Sequence, residues 1–188
     1  PNCMHFGASA RETLTQTATN MTRCDLRVGV IGLGALGLPM AANLRRADVR
    51  LRVPTRSRNA ERDPNLLGAI TCATPAEAVE GVDVLLLCVS DNAAVEAVLF
   101  GANGASNQLA EGSVVVDCST TAPATAITSA KSLAQRGVHY LDAPVTGGTE
   151  GAKAGSLTVL VGGEQDALER ARPVLEIIGG SIHHFGAV

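Results

Sequence analysis

The chain reads as an α/β protein built on a doubly wound, mostly parallel sheet, and three observations predict it. Short aliphatic runs alternate with helix-length stretches from Leu26 onward. The first aliphatic run leads straight into Gly32-Leu33-Gly34-Ala35-Leu36-Gly37, and those glycines open a helical pattern. Aromatic residues are 2% of the chain against 46% hydrophobic residues, so the core is Ala, Val, Leu and Ile, which suits strands buried on both faces.

The elements follow in order. Leu26–Ile31 is the first strand, residues 35–46 the first helix, and Val49–Val53 the second strand. Pro54 and Pro64 bracket a polar connection with little room for a long helix, and Ala69–Cys72 is a short third strand. Thr74-Pro75-Ala76-Glu77 is a helix start: Thr74 caps, Pro75 suits the first helical position, and Glu77 completes a capping box. Val82–Val89 is the fourth strand, Asn92–Phe100 a helix, and a Gly/Asn loop runs through Asn107. Ser113–Asp117 is the fifth strand, and Thr121 or Thr120 is expected to cap a helix from Pro123 to Arg136. Val138–Leu141 is the sixth strand. A glycine-rich loop, 147–155, leads into a strand at Leu157–Val161. A helix over Ala167–Ile178 is stopped by Gly179-Gly180, and Ser181–Phe185 is a last short strand. Such alternation calls for right-handed crossovers.

With 188 residues the chain suits one domain, placed over residues 26–188. Residues 1–25 read as a leader outside the fold, rich in Ser, Thr, Ala and Asn, with no apolar segment of a secretory signal. Only Arg11 and Arg23 would support a transit peptide. Met21, five residues before the first strand, is the expected natural start, with residues 1–20 added by cloning or by an over-extended reading frame. The net charge of −3 gives no electrostatic case for nucleic acid. No apolar run reaches the roughly 18 residues a membrane span needs. Cys3, Cys24, Cys72, Cys88 and Cys118 are odd in number and form no C-x-x-C pair, which points to reduced thiols and a cytoplasmic protein. Cys88 and Cys118 follow strands and read as small core residues. His139 is expected at a strand edge. His183 and His184 alternate along a strand and cannot share a face, so no metal site is expected.

Two stretches carry chemistry. In the first, Gly32 permits a tight turn, Gly34 lets the backbone approach a pyrophosphate, and Gly37 lets helix and strand pack closely. The helix N-terminus then offers free N–H groups and partial positive charge to phosphates. At the tip of the second strand, where an NAD site places an Asp or Glu, the chain has Pro54-Thr55-Arg56-Ser57. Arg56, with Thr55 and Ser57, is the candidate contact for a 2′-phosphate, so NADP leads and NAD is the alternative. The second stretch, Asp142-Ala143-Pro144-Val145-Thr146-Gly147-Gly148, sets two adjacent glycine amides beside one hydroxyl, equipment for gripping a small carboxylate. Asp142 is expected to accept loop N–H groups.

These motifs, with Leu38-Pro39-Met40, Cys88-Val89-Ser90-Asp91, Asp117-Cys118-Ser119-Thr120 and Val161-Gly162-Gly163, give a chain that resembles the β-hydroxyacid dehydrogenases from Leu26 to Val188. The group includes 3-hydroxyisobutyrate dehydrogenase, tartronate semialdehyde reductase and glyoxylate/succinic semialdehyde reductases. The resemblance implies a Rossmann-type domain in which Gly32, Leu33, Gly34, Ala35, Leu36 and Gly37 bind the pyrophosphate. It implies that Thr55, Arg56 and Ser57 form the turn of NADP-preferring members, with Thr in place of their Asn. Val89 and Ser90 would line the cofactor near its ribose, and Thr120 would stand beside the nicotinamide. Ser119, Thr146, Gly147 and Gly148 would hold the substrate carboxylate, Thr146 replacing the usual Ser. 6-Phosphogluconate dehydrogenase is a relative with a similar glycine loop.

The family's catalytic Lys lies on a long helix after the last strand of this domain, within a Gly-x-Gly-then-Lys pattern followed by Asn. The sequence ends at Phe185-Gly186-Ala187-Val188, ahead of that pattern, and holds only Lys131 and Lys153. The resemblance thus implies a chain without the base and without the helical C-terminal domain that builds the family's dimer. Such a chain is expected to bind cofactor and turn over little. The competing class is a non-catalytic nucleotide-binding module. A ketopantoate-type reductase is a third reading, which the 142–163 motif disfavours.

Overall fold

The computed structural model describes residues 26–54 and 63–188. Six strands form one sheet: β1 (Arg27–Ile31), β2 (Arg50–Pro54), β3 (Ile70–Cys72), β4 (Val84–Leu87), β5 (Val114–Asp117) and β6 (His139–Asp142). Their order is β3-β2-β1-β4-β5-β6 and every neighbouring pair is parallel. The central strands β4 (VLLL) and β5 (VVVD) are buried at every position, as continuous aliphatic runs in a parallel sheet should be.

Period-two alternation sends these side chains into two separate cores. Val28, Val30, Leu86, Val114, Val116 and Leu141 pack with α1 (Gly37–Arg46) and α6 (Gln165–Ile178). Leu85, Leu87, Val115 and Tyr140 pack on the other face with α2 (Pro75–Ala78), α3 (Asn92–Phe100) and α4 (Pro123–Ala134). Each fully buried aliphatic side chain contributes about 1.5–3 kcal/mol. No helix among the described residues is long and apolar enough to cross a membrane.

Local chemistry sets several boundaries. The Thr74 hydroxyl accepts the Glu77 N–H (3.1 Å) and a Glu77 carboxylate oxygen accepts the Ala73 N–H (3.0 Å), so the expected capping box starts α2. Helix α4 differs from expectation: Ala122, not Thr120 or Thr121, is its N-cap residue, and no side chain of its own caps it. Instead the Ala122 N–H donates to Asn92 Oδ1 (2.9 Å) at the head of α3, tying two βα turns together.

The segment after β6 departs most from the sequence reading. The glycine-rich stretch 147–155 is a helix, α5 (Gly148–Ala154), entered from a two-residue strand, β7 (Val145–Thr146). Strands β7, β8 (Leu157–Val161) and β9 (Gly179–His184) form a second sheet, with β7 antiparallel and β9 parallel to β8. An Asp142–Gly162 backbone bridge joins this sheet to β6.

Candidate functional site

The first candidate residues sit at the carboxyl edge of the six-stranded sheet, beside the point where strand order reverses between β1 and β4. In open α/β sheets that crevice takes ligands. Gly32 follows β1 with φ +99°, and a Cβ there would overlap the Cys88 carbonyl oxygen and lie 3.1 Å from Val89 Cγ1. A Cβ on Gly37 would overlap the Gly32 carbonyl oxygen. Gly34 is the opposite case: a Cβ there would meet nothing within 4 Å, so open space lies above its backbone. Two of the glycines let the turn close on itself, and the third faces the room a ligand would fill. Helix α1 starts from Leu36 with no side-chain cap and no acid in its first turn, and Ala35 and Gly34 are exposed. Pro39 has no N–H, and the Leu38 and Met40 N–H groups donate to Gly34 O and Leu36 O (3.1 Å each), so the amides ahead of them, Ala35 to Gly37, and the partial positive charge are what the turn offers an anion. These features fit a dinucleotide pyrophosphate.

A buried hydrogen-bond relay fixes the neighbouring turns. Val89 N–H donates to Ser119 Oγ (2.9 Å), and Ser119 N–H donates to Asp117 Oδ1 (2.9 Å). The Tyr140 hydroxyl donates to Asp117 Oδ2 (2.8 Å). Asp117 is fully buried and Ser119 is 2% exposed. Burial, reinforced by Asp117, keeps the Tyr140 phenol protonated far above its ordinary range. Asp142 pairs with Asp117 across β5 and β6, and desolvation followed by repulsion from Asp117 raises its carboxyl. The Cys88 thiol is pushed up to about 11, by burial and then Asp117, and burial pushes Cys118 up strongly. Both shifts favour the thiol over the reactive thiolate at neutral pH.

The relay joins Val89 to Ser119, while Ser90 and Thr120 stand exposed at the same edge. The Ser90 hydroxyl is turned to Asp91 Oδ2 (2.8 Å), and Asp91 caps α3 through the Ala94 N–H. That amide, and then the Ser90 hydroxyl, hold the Asp91 carboxyl below its ordinary value. Thr146, Gly147 and Gly148 lie exposed at the start of α5, Gly147 with φ +128° and Gly148 with φ +61°. No side chain caps α5, which leaves its first-turn amides free for a carboxylate. Among the described residues no hydrogen bond joins Thr146–Gly148 to the Gly32–Gly37 turn. Thr55, Arg56 and Ser57 lie outside the described residues, as do residues 1–25 with Met21, Cys3 and Cys24.

Asp142 works through its backbone: its N–H donates to Gly162 O (3.0 Å) and its carbonyl accepts the Gly162 N–H (2.8 Å). This replaces the expectation that its carboxylate gathers loop amides. Lys153 stands exposed at the far end of α5, paired with Glu150 (2.8 Å), and Lys131 is exposed on α4. His184 Nε2 lies 2.7 Å from Gly163 O and His139 pairs with Glu164 (3.3 Å), both structural contacts. No cluster of metal-ligating side chains occurs among the described residues. A cavity of about 450 Å³ lined by Glu111, His139, Glu164 and Arg170 lies at the amino end of β6, away from the carboxyl edge. Sequence reasoning missed Asp117, Tyr140 and Asn92 as residues that shape the neighbouring turns. Only the polar Asp117 closing an aliphatic run gave a signal.

Residues 27–186 match the family model of the NAD binding domain of 6-phosphogluconate dehydrogenase. The chain is 39% identical over 157 residues to 2-hydroxy-3-oxopropionate reductase of Escherichia coli, covering 84% of this chain and 53% of that protein. It is 38% identical over 159 residues to 3-hydroxyisobutyrate dehydrogenase of Pseudomonas aeruginosa, covering 85% of this chain and 53% of that protein. The chain thus spans about half the length of the curated relatives it matches. A solved 3-hydroxyisobutyrate dehydrogenase from Salmonella typhimurium superposes with a TM-score of 0.81 at 32% identity, covering 87% of this chain and 57% of the other. A similar structure, Psf3 in complex with NADP+ and 2-OPP, has a TM-score of 0.80 at 33% identity, covering 85% and 56%. The chain belongs to the family of the NAD binding domain of 6-phosphogluconate dehydrogenase, an oxidoreductase family whose members resembling it here include dehydrogenases and reductases of small hydroxy acids.

Proposed function

We propose that this chain is the dinucleotide-binding part of an NADPH-dependent reductase acting on a small semialdehyde or hydroxy acid carboxylate. The single observation that carries the reading is a pair of uncapped helix starts, α1 after Gly34 and α5 after Gly147, one suited to a pyrophosphate and one to a carboxylate. A nucleotide sensor needs only the first. The nicotinamide, when bound, supplies or accepts a hydride. The chain's own residues then position and exclude. The Gly32–Gly37 turn holds the pyrophosphate, and Val89 and Ser90 set the ribose against the edge of β4. Thr120 lies beside the ring. Thr146, Gly147 and Gly148 fix the carboxylate, with Ser119 beneath, so that the reacting carbon is held at one distance from the ring. Arg56, with Thr55 and Ser57, selects the 2′-phosphate.

The test is a fluorescence titration of the chain with NADPH and NADH. NADPH should bind more tightly, and Arg56→Ala should narrow the gap by about tenfold or more, the loss of a charge-assisted hydrogen bond. With NADP+ bound, glycerate or 3-hydroxyisobutyrate should perturb the complex, and acetamide should not. Failure to bind either dinucleotide overturns the reading. The competing reading is a nucleotide-binding module without chemistry. Dinucleotide binding with no response to any small hydroxy acid would decide for it.

A further inference from the structure

Helix α5 has only seven residues, about 10 Å of helix, too short to hold itself in water. At its end the Gly155 and Ser156 N–H groups donate to Ala152 O (3.4 Å) and Gly151 O (2.9 Å), and side chains of α1 add further donors. Asn43, in the second turn of α1 and 8% exposed, donates from Nδ2 to Ala152 O (2.8 Å). Its Oδ1 accepts from the Arg46 guanidinium, which also donates to Lys153 O (3.3 Å). Asn43 and Arg46 therefore form a C-terminal cap for α5 supplied by another helix, and the Arg46 charge complements the negative end of α5. Gly155 completes the joint. Its φ is +66°, and a Cβ there would lie 2.8 Å from Ile177 O and 3.3 Å from Asn43 Nδ2.

The two helices so joined begin at the two proposed anion sites, Gly34–Gly37 and Gly147–Gly148. We infer that Asn43 is a positioning residue that fixes the carboxylate grip relative to the dinucleotide site through α5, without touching either ligand. The inference rests on the proposed function. It makes one side chain responsible for a spacing that the chemistry needs held within a fraction of an ångström. A hydrogen bond lost here lets α5 tilt or fray while α1, packed into the core through Met40, Ala41 and Leu44, keeps its place.

Three variants separate the parts. Asn43→Leu removes both polar atoms, Asn43→Asp keeps the Arg46 acceptor and loses the donor to Ala152 O, and Gly155→Ala strikes the same joint from the α5 side. Amide exchange of residues 148–154 is measured on the chain, dinucleotide affinity by NADPH fluorescence, and KM and kcat for 3-hydroxyisobutyrate on the full-length protein. Exchange of α5 should quicken and KM rise, each by about tenfold, one buried hydrogen bond's worth, with kcat falling less. NADPH affinity should stay within about twofold, the additivity expected of an independent site. Unchanged α5 exchange in all three variants overturns the inference. So does a loss of NADPH affinity in step with KM, which would mean that Asn43 merely supports α1. Failure of the underlying functional reading shows differently, as an unaltered protein that binds no dinucleotide or uses no hydroxy acid.

Discussion

Replacing Gly34 and Gly37 separately by Ala should give opposite results, although the two glycines stand three residues apart in one turn. At Gly37 the new methyl would overlap the Gly32 carbonyl oxygen, lie 3.0 Å from that carbonyl carbon and touch Cys88 Cβ at an ordinary 3.6 Å. Two of those atoms are backbone, so relief requires α1 to shift off the turn or β1 to move. Overpacking of a tight core costs about 1–3 kcal/mol and occasionally more; a clash with backbone belongs at the upper end, about 3 kcal/mol. For a domain of this size that lowers Tm by roughly 6–12 °C. At Gly34 the methyl meets nothing, and φ is outside the left-handed region. Fold stability should hold or rise by about 0.4–1 kcal/mol, because Ala narrows the unfolded ensemble. The same methyl would occupy the space proposed for the pyrophosphate. Losing one charge-assisted hydrogen bond of about 1.5–3 kcal/mol weakens dinucleotide binding about 10–150-fold. Differential scanning fluorimetry and NADPH titration read both. A Gly34→Ala protein with undiminished NADPH affinity would refute the placement of the phosphates. A Gly37→Ala protein with unchanged Tm would refute the packing argument.

Tyr140→Phe leaves the buried Asp117 with one fewer donor and should destabilise the fold by about 1.5–3 kcal/mol, read by urea denaturation; a change within about 0.5 kcal/mol, the range of an ordinary surface substitution, would mean that the relay is idle. Asp142 has a raised carboxyl in the fold, so the native state holds its proton to higher pH than the unfolded chain does. Its contribution to stability therefore falls as pH rises from the ordinary carboxylate range through the raised value. Asp142→Asn should raise Tm at neutral pH, and the gain should vanish below the ordinary carboxylate range; a constant gain at all pH values would contradict this. Cys118 and Cys88 should alkylate with iodoacetamide far more slowly than free cysteine at neutral pH, and rapid labelling of the native chain at either would show that the strand ends open readily.

Much of the fold was legible because the central strands β4 and β5 are continuous aliphatic runs and helices such as α2 and α3 open on a capping side chain. Asn92–Phe100 and Leu157–Val161 begin and end where the sequence places them. The glycine turn was legible for the same reason: a Gly that must approach backbone leaves its mark in the sequence. What stayed hidden was long-range. Helix α5 contains Gly148 and Gly151, residues of low helix propensity, and is held by Asn43 from 109 positions away. No local pattern announces that. Gly179 was read as a helix stop and also begins β9, because without a side chain it can lie against Leu157 O, 2.9 Å from where a Cβ would be. The Asp117–Tyr140 bond joins two strands through sheet order alone.

Tyr140 is the one tyrosine of the sequence, which has no tryptophan. The protein's near-ultraviolet emission therefore comes from one phenol, buried and bonded to a carboxylate, an arrangement that quenches it. Unfolding should make the molecule brighter, from a single place in the sheet beneath the proposed site. In the nicotinamide excitation band the polypeptide is dark, so bound reduced cofactor can be observed without label or background.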